Sequence, residues 1–336
     1  MRFSLRFNND LPVRDYVELA QRAETAGIDQ FWVSNDLFLR SAPIILTAVA
    51  AATSHIQIGT CILNPYTVNV AEIAMLAATL DEYSGGRFNL GIGSGASDFL
   101  GWVGIEHDKP LTSLLEGITA LRQLFAGERA AIDGHFLRWQ QEAFLRFDVA
   151  RQIPIYIGAM SPNMLRAIGS HADGGLPLLF PPEHYANVAP LIAEGAASAK
   201  RDLSQIDVAA CIWCSIADDK DEAEAPLRQK IAYYGHAMSP MILSQLGLTQ
   251  ADFNEIEHVV MVEKDLHRAA AMVTPAMLRI GIAGTSHQLI ERVEGLIEKG
   301  VTHISFGPPL GPDIAYTLKM LGEVVIPHFR KEDSNG

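Results

Sequence analysis

Short apolar runs alternate with longer amphipathic stretches along most of this chain. The runs are too short for helices and are bounded by Gly, Pro and polar residues, so they predict buried strands. The eight predicted strands cover 3–7, 30–33, 56–61, 88–92, 154–157, 175–180, 206–216 and 303–306. Between them, apolar residues recur at helical spacing. The predicted helices cover 12–26, 42–53, 70–80, 111–125, 162–171, 184–200, 222–234, 289–299 and 314–325.

Local signals mark several helix ends. Asp10 is a candidate N-cap for the first helix and Gly27 is its candidate terminator. Two segments break the alternation of strand and helix. Residues 128–150 include a candidate hairpin at 131–136, and residues 236–275 predict irregular, partly helical structure.

Eight strands that alternate with helices favour an α/β fold of the (β/α)8 TIM-barrel type. The insertions are expected near 94–110, 128–150 and 236–275. A doubly wound sheet is the alternative, but no Gly-x-Gly-x-x-Gly follows the first predicted strand. No stretch of linker composition divides the chain, so residues 1–336 are predicted to form one domain.

Net charge and cysteine content limit which binding partners and which cellular compartment are expected for this chain. The formal net charge of −13 argues against nucleic acid or an anionic membrane surface. Three cysteines in 336 residues give no disulfide framework, and no apolar run reaches membrane-spanning length. The first residues have a strand pattern and lack the profile of a signal peptide. We therefore expect a cytoplasmic protein that acts on a small molecule.

In barrels of parallel strands, the chemistry lies on the loops that follow the strands. Three such loops carry candidate binding chemistry, and each has a structural alternative. Residues 91–95 either expose backbone N–H groups to a phosphate or planar cofactor, or form a tight turn that needs positive φ. Residues 158–162 either bind an anion at a helix N-terminus or cap that helix with Ser161. Residues 307–313 either bind phosphate or simply close the barrel.

Cysteine and histidine patterns favour no metal or redox site. Cys211 and Cys214 have redox-pair spacing, but they lie within a predicted strand and face opposite sides, which indicates core packing. The eleven histidines are scattered, and no cluster has metal-ligand spacing.

Several segments resemble the luciferase-like barrel superfamily, which includes flavin monooxygenases and enzymes that use the deazaflavin coenzyme F420. The F420-dependent methylenetetrahydromethanopterin reductases are the branch that this sequence resembles most. The resemblance runs nearly end to end. The segments that carry it are 64–67 (Asn-Pro-Tyr-Thr), 80–87 (Leu-Asp-Glu-Tyr-Ser-Gly-Gly-Arg), 91–95, 154–159, 206–210, 284–285 and 307–313.

The resemblance implies a cofactor, with coenzyme F420 preferred over FMN. It also implies a non-proline cis peptide after the third strand, at Cys61–Ile62, which bulges against one face of the ring and bends it. Backbone after the fourth and fifth strands would hold the ring and the phosphate tail. The cofactor-binding candidates are Cys61, Ile62, Asn64, Gly93, Ser94, Gly95, Gly158, Ala159 and Met160.

The sequence departs from the family pattern at three places in the expected site. Leu37 follows Asp36 where a His is common, Arg6 stands in place of a carboxylate, and Ala96 stands in place of an acidic residue. Arg6 could clamp a carboxylate or phosphate, or it could pair with Asp36 in a structural role. The catalytic candidates are Asp36, Arg6 and Asn35, with Asn35 and Asp36 orienting the substrate.

The favoured function is an oxidoreductase that transfers a hydride between F420 or a flavin and a pterin-like or other small organic substrate. An FMN-dependent monooxygenase and a non-catalytic flavin- or pterin-binding barrel are the alternatives. Related barrels often pair, so the resemblance also implies a homodimer or higher homo-oligomer. The apolar residues of segment 236–275 either cover the site or bury a dimer interface; they are Met238, Met241, Leu243 and Leu246.

Overall fold

Eight parallel strands form a closed barrel in the computed structural model, which describes residues 1–332. The strands are β1 (Arg2–Phe7), β2 (Gln30–Val33), β3 (Gln57–Thr60), β4 (Phe88–Ile92), β5 (Ile155–Ala159), β6 (Gly174–Pro177), β7 (Asp207–Ile216) and β8 (His303–Leu310). Each strand pairs with its neighbours in sequence, and β8 pairs with β1, where Phe306 lies opposite Leu5. The predicted TIM-barrel class is therefore confirmed.

Helices surround this barrel and connect its strands. They are α1 (Val13–Thr25), α2 (Ala42–Ala52), α3 (Val70–Tyr83), α4 (Ser97–Trp102), α5 (Pro110–Phe125), α6 (Pro162–His171), α7 (Tyr185–Ser198), α8 (Lys220–Tyr234), α9 (Pro240–Gln245), α10 (Asn254–His258), α11 (Leu266–Ala271), α12 (Pro275–Leu278), α13 (Ser286–Ile297), α14 (Ile314–Met320) and α15 (Ile326–Glu332). A π-helical turn at Leu321–Val325 joins the last two. Over the described residues no helix is both long and apolar enough to cross a bilayer.

Several local predictions need correction. Asp10 does not cap α1, because Pro12 occupies the N-cap position and no side chain bonds there. Gly27 does end that helix, with φ of +79°. The predicted strand at 303–306 continues to Leu310, so the first residues of the 307–313 segment belong to β8 rather than to a loop. Asp313 then caps α14 by accepting hydrogen bonds from two backbone N–H groups.

Segment 128–150 contains the expected hairpin. Ile132–Asp133 pairs antiparallel with Arg138–Trp139, which extends the hairpin past the predicted 131–136. Three short elements were missed: α4, α15, and a strand at Ile282–Gly284 that pairs with the end of β7. Each has seven residues or fewer, too few for a hydrophobic period to show.

The apolar core has three parts. The main cluster fills the space between the barrel strands and the helices around them. A smaller cluster, which we call the second core, joins β7 and α8 to the helices of segment 236–278; it includes Trp213, Leu227, Ile231, Met238 and Leu243. A third group, centred on Trp32 and Tyr156, lies inside the barrel. The sequence analysis named four apolar residues of segment 236–275 that would cover the site or bury an interface. Met238, Leu243 and Leu246 are buried in the second core, whereas Met241 is exposed.

A buried polar network closes the barrel at the N-terminal ends of its strands. His303 is 2.9 Å from Ser4 Oγ through Nε2 and 3.0 Å from Asp207 through Nδ1. Tyr156 and Arg2 also donate to Asp207 at 2.8 Å. Burial opposes ionisation of Asp207, but these donors outweigh it and hold its pKa well below the ordinary value. Ser4 and His303 are fully buried, so this Ser–His–Asp arrangement satisfies polar groups in the core.

Candidate functional site

The loops after β3 and β4 meet the end of β5 at the C-terminal end of the barrel, around one side chain, Ile62. The Cys61–Ile62 peptide bond is cis, at the position that the resemblance indicates. A Cβ on Gly158 would lie 2.8 Å from Ile62 Cγ2, and one on Gly93 would lie 3.1 Å from Ile62 Cδ1. Both glycines therefore leave room for Ile62. We call this group, Cys61–Ile62 with Gly93 and Gly158, the turn face.

Asn64 fixes the loop that leaves the turn face. Its Oδ1 accepts hydrogen bonds from the N–H groups of Tyr66 and Thr67, at 3.1 and 3.0 Å. Its side chain also packs against Gly95, whose φ of +76° agrees with the tight-turn interpretation of segment 91–95. In this structure Asn64 thus acts by shaping backbone next to the candidate cofactor residues.

The N-terminus of α6 leaves backbone donors available beside the turn face. Ser161 occupies the N-cap position, but its side chain makes no capping hydrogen bond, contrary to the structural alternative. Helix N-termini with free N–H groups attract anions. Of the two cofactor-binding candidates directly before Ser161, Ala159 is buried, whereas Met160 is 41% exposed. Ser94, whose carbonyl lies 3.0 Å from His107 Nε2, follows Gly93 on the neighbouring loop.

Arg6 lies inside the barrel mouth, beside Cys61 of the turn face. The residue is only 7% exposed, and its Nη2 donates to the carbonyl of Ile212 on β7 at 3.1 Å. Gly307 on β8 makes room for it, since a Cβ there would lie 2.3 Å from Arg6 Nη2. Arg6 Nε is buried and has no hydrogen-bond partner. Of the two alternatives for Arg6, the structural pairing with Asp36 is contradicted, because no ion pair within 4.0 Å joins these two residues.

The other two catalytic candidates follow β2. Asn35 Oδ1 accepts a hydrogen bond from Ala42 N at the start of α2, so this side chain helps position the loop. Asp36 is held through its backbone, which bonds to the Asn9 side chain. Burial raises the pKa of the Asp36 carboxyl, and the positive charge of Lys230 acts in the opposite direction.

Lys230 is a site residue that sequence reasoning missed. It comes from the last turns of α8, and its Nζ lies 4.9 Å from the ring centroid of Trp213 and 5.0 Å from that of Tyr234. Burial, and to a smaller extent the charge of Arg6, lower the pKa of Lys230 to about 8, whereas Asp10 and Asp36 oppose the shift. No local motif marks this lysine, so only the fold brings it to the site.

The three cysteines are not poised for thiol chemistry. Cys211 and Cys214 lie on β7 and are fully buried, in agreement with the predicted core packing. Burial raises the pKa of both Cys61 and Cys214 to about 12, although the charge of Arg6 opposes the shift at Cys61. Thiols with such pKa values stay protonated near neutral pH and are poor nucleophiles.

A sequence model described as luciferase-like monooxygenase matches residues 3–303 of this chain. The chain belongs to this family. The match covers the first seven barrel strands apart from the first residue of β1, and it reaches only the first residue of β8.

Relatives within the luciferase-like family agree with this assignment over their full lengths. The 5,10-methylenetetrahydromethanopterin reductase of Methanolobus tindarius is 33% identical over 329 residues, which cover 97% of this chain and 100% of the relative. The F420-dependent glucose-6-phosphate dehydrogenase of Rhodococcus erythropolis is 29% identical and covers 94% of each chain.

A solved structure of the same family superposes closely on this one. The coenzyme F420-dependent tetrahydromethanopterin reductase of Methanopyrus kandleri has a TM-score of 0.92 and 28% identity, and the alignment covers 98% of this chain and 99% of the other. Several relatives of this luciferase-like chain are thus named as F420-dependent reductases or dehydrogenases.

Proposed function

We propose that this protein is an oxidoreductase that transfers a hydride between coenzyme F420 and a small organic substrate. Its similarity to a methylenetetrahydromethanopterin reductase makes a pterin-like compound the first substrate to test. The observation that carries the proposal is the turn face, where Ile62 packs between two glycines at the C-terminal end of the barrel. This arrangement presents backbone and one aliphatic side chain, which suits a flat apolar ring system.

The residues present fit such a cofactor without a charged cradle around its ring. The proposed ring contacts are Cys61, Ile62 and the backbone of Gly158–Met160. The free donors at the N-terminus of α6 and the loop at Gly93–Gly95 would take the phosphate tail. When bound, the deazaflavin supplies the hydride chemistry.

The protein's own side chains would then bind and orient the substrate. Arg6 lies near the end of β1, Asp36 in the loop after β2 and Lys230 in the last turns of α8. The charges of Arg6 and Asp36 both act on Lys230. Asp36 has a raised pKa because of burial, so it can hold or release a proton closer to neutral pH than an exposed carboxyl group. Hydride transfer needs little further acid–base help, and the absence of a His at Leu37 does not prevent it.

Cofactor titration tests this function. The purified protein is titrated with F420 and, separately, with FMN, and binding is followed by fluorescence. We expect micromolar or tighter affinity for F420 and at least tenfold weaker affinity for FMN. Binding of FMN alone would support the monooxygenase alternative and would overturn the choice of cofactor.

Turnover separates an enzyme from a binding protein. Reduced F420 is mixed with methylenetetrahydromethanopterin and with simpler electron-poor acceptors, and its reoxidation is followed by absorbance. We expect reoxidation that depends on both protein and acceptor. Tight F420 binding without turnover of any acceptor would favour the non-catalytic alternative.

A further inference from the structure

Four charged groups lie near one another at the barrel mouth without pairing. Arg6, Asp10, Asp36 and Lys230 are close enough to influence one another's charge. Yet across residues 1–332 no ion pair within 4.0 Å links a cation of this group to a carboxylate of it. The two cations of this group therefore have no carboxylate close enough to pair with them, and an anionic ligand could satisfy both.

Arg6 retains unused hydrogen-bonding capacity in this group. A guanidinium has five N–H donors, and one of its nitrogens here donates to the Ile212 carbonyl. Its Nε is buried without a partner, and an unsatisfied buried donor costs free energy. Only a glycine at position 307 leaves room for the Arg6 side chain, because a Cβ there would clash with it. The barrel thus accommodates a cation that its own residues do not neutralise.

Lys230 is a second cation that no carboxylate of the described chain neutralises. Its ammonium lies over Trp213 and Tyr234, and it makes neither a hydrogen bond nor an ion pair with any described residue. The aromatic rings offer it weak electrostatic attraction but no hydrogen-bond acceptor. Arg6 raises the electrostatic cost of its charge rather than lowering it.

We propose that Arg6 and Lys230 form a subsite for an oxyanion of the substrate, either a carboxylate or a phosphate. An anion between them would accept hydrogen bonds from both and relieve their mutual repulsion. The charges of Asp10 and Asp36 also act on Lys230 and would repel an anion, so the subsite favours a ligand that contacts the two cations directly. The assignment of this anion to the substrate rests on the proposed function, in which the turn face holds the cofactor.

Anion titration of the protein without cofactor tests the subsite. Inorganic phosphate and succinate are titrated separately by calorimetry at pH 7, with ionic strength held constant by sodium chloride. We expect saturable binding of at least one, and the preferred anion identifies the phosphate or carboxylate source. Lys230→Met and Arg6→Gln should each weaken it at least tenfold.

The control is Lys220→Met, which removes the same charge from the exposed start of the same helix. It should change anion affinity by less than twofold. If Arg6→Gln fails to fold, Arg6→Lys and Lys230→Met decide the question. Absence of saturable binding of both anions, or equal affinity in wild type and Lys230→Met, would overturn the proposal.

A competition experiment distinguishes this proposal from the proposed function. F420 is titrated into wild type and Lys230→Met, with and without saturating anion. We expect less than a twofold change in F420 affinity in either comparison. Competition between F420 and the anion would place the anion in the cofactor site and refute a substrate subsite. If F420 does not bind but the anion still depends on Lys230, the proposed function fails while the oxyanion site stands.

Discussion

A half-buried lysine without a carboxylate partner is unfavourable for the folded state, and Lys230 is such a residue. In the folded chain burial lowers the pKa of Lys230 to about 8, whereas an unfolded lysine titrates near 10.5. At neutral pH the folded protein therefore bears the cost of a desolvated charge. Residues that reduce stability in this way often serve binding or catalysis.

Lys230→Met should stabilise the protein at pH 7, because the thioether can pack on Trp213 without a charge. We expect the melting temperature to rise by about 1.5 °C, which corresponds to roughly 1 kcal/mol. Between pH 8 and 10.5 the folded lysine loses its proton first, so wild-type stability rises with pH. The advantage of the variant should shrink over that range.

Thermal unfolding at pH 7 and pH 9.5 checks this prediction, with Lys220→Met as the exposed control. The groups that face Lys230 are Arg6, Asp10, Asp36 and Tyr234, and burial keeps the pKa of Tyr234 above its ordinary value. The tyrosine therefore stays neutral at both pH values. A variant less stable than wild type at pH 7 would mean that Lys230 has stabilising contacts.

At the scale of elements, the loops after β3 and β4 pack against the end of β5 only because Gly93 and Gly158 have no side chains. Ile62 occupies the space that a Cβ on Gly158 would enter. Because interiors are close-packed, adding that one carbon must displace Ile62 or shift β5.

Gly158→Ala should therefore weaken F420 binding while leaving the barrel folded. We expect about a tenfold loss of affinity, or roughly 1.4 kcal/mol, because the displaced side chain alters the turn face. Fluorescence titration measures the affinity and circular dichroism the fold. The matched control is Gly295→Ala, where a Cβ on α13 meets no neighbour within 4 Å. Equal F420 affinity in both variants would exclude Ile62 from the cofactor site.

The strands show how far sequence reasoning reaches at this scale. The bounds of β2 and β4 were predicted at the observed residues, because each is a purely buried run between polar or glycine boundaries. The end of β8 was missed because Gly-Pro-Pro is typical of a loop, although pairing with β7 continues to Leu310. Hydrogen bonding to a neighbour far away in sequence decided that boundary.

The same limit applies to the candidate site. The turn at Cys61–Ile62 and the glycine loops follow strands directly, so their position in the chain placed them at the mouth. Lys230 lies within a helix rich in charged residues, and nothing in the sequence of that helix marks Lys230 as a site residue. A helix residue reaches a barrel mouth only through tertiary packing, which no local pattern encodes.

In the whole molecule, Lys230 and Arg6 are supported by different cores. Arg6 belongs to β1, which packs within the main cluster, whereas α8 packs into the second core through Leu227 and Ile231. The second core also contains Leu243 from α9, which is fully buried. The two halves of the proposed oxyanion subsite can therefore be perturbed separately.

Leu243→Ala should loosen α8 and segment 236–278 before the barrel. Removing a buried leucine side chain costs about 2–5 kcal/mol. Such a loss promotes local unfolding of the region that has the fewest other stabilising contacts. We expect faster amide hydrogen exchange in α8 and segment 236–278, little change in β1–β6, and weaker binding of the oxyanion with F420 affinity retained. Leu114→Ala is the control, because this buried residue of α5 belongs to the main cluster and should affect the barrel strands as well. If Leu243→Ala accelerated exchange in β1–β6 as much as in α8, the two cores would unfold as one unit, and Lys230 could not be displaced independently of Arg6.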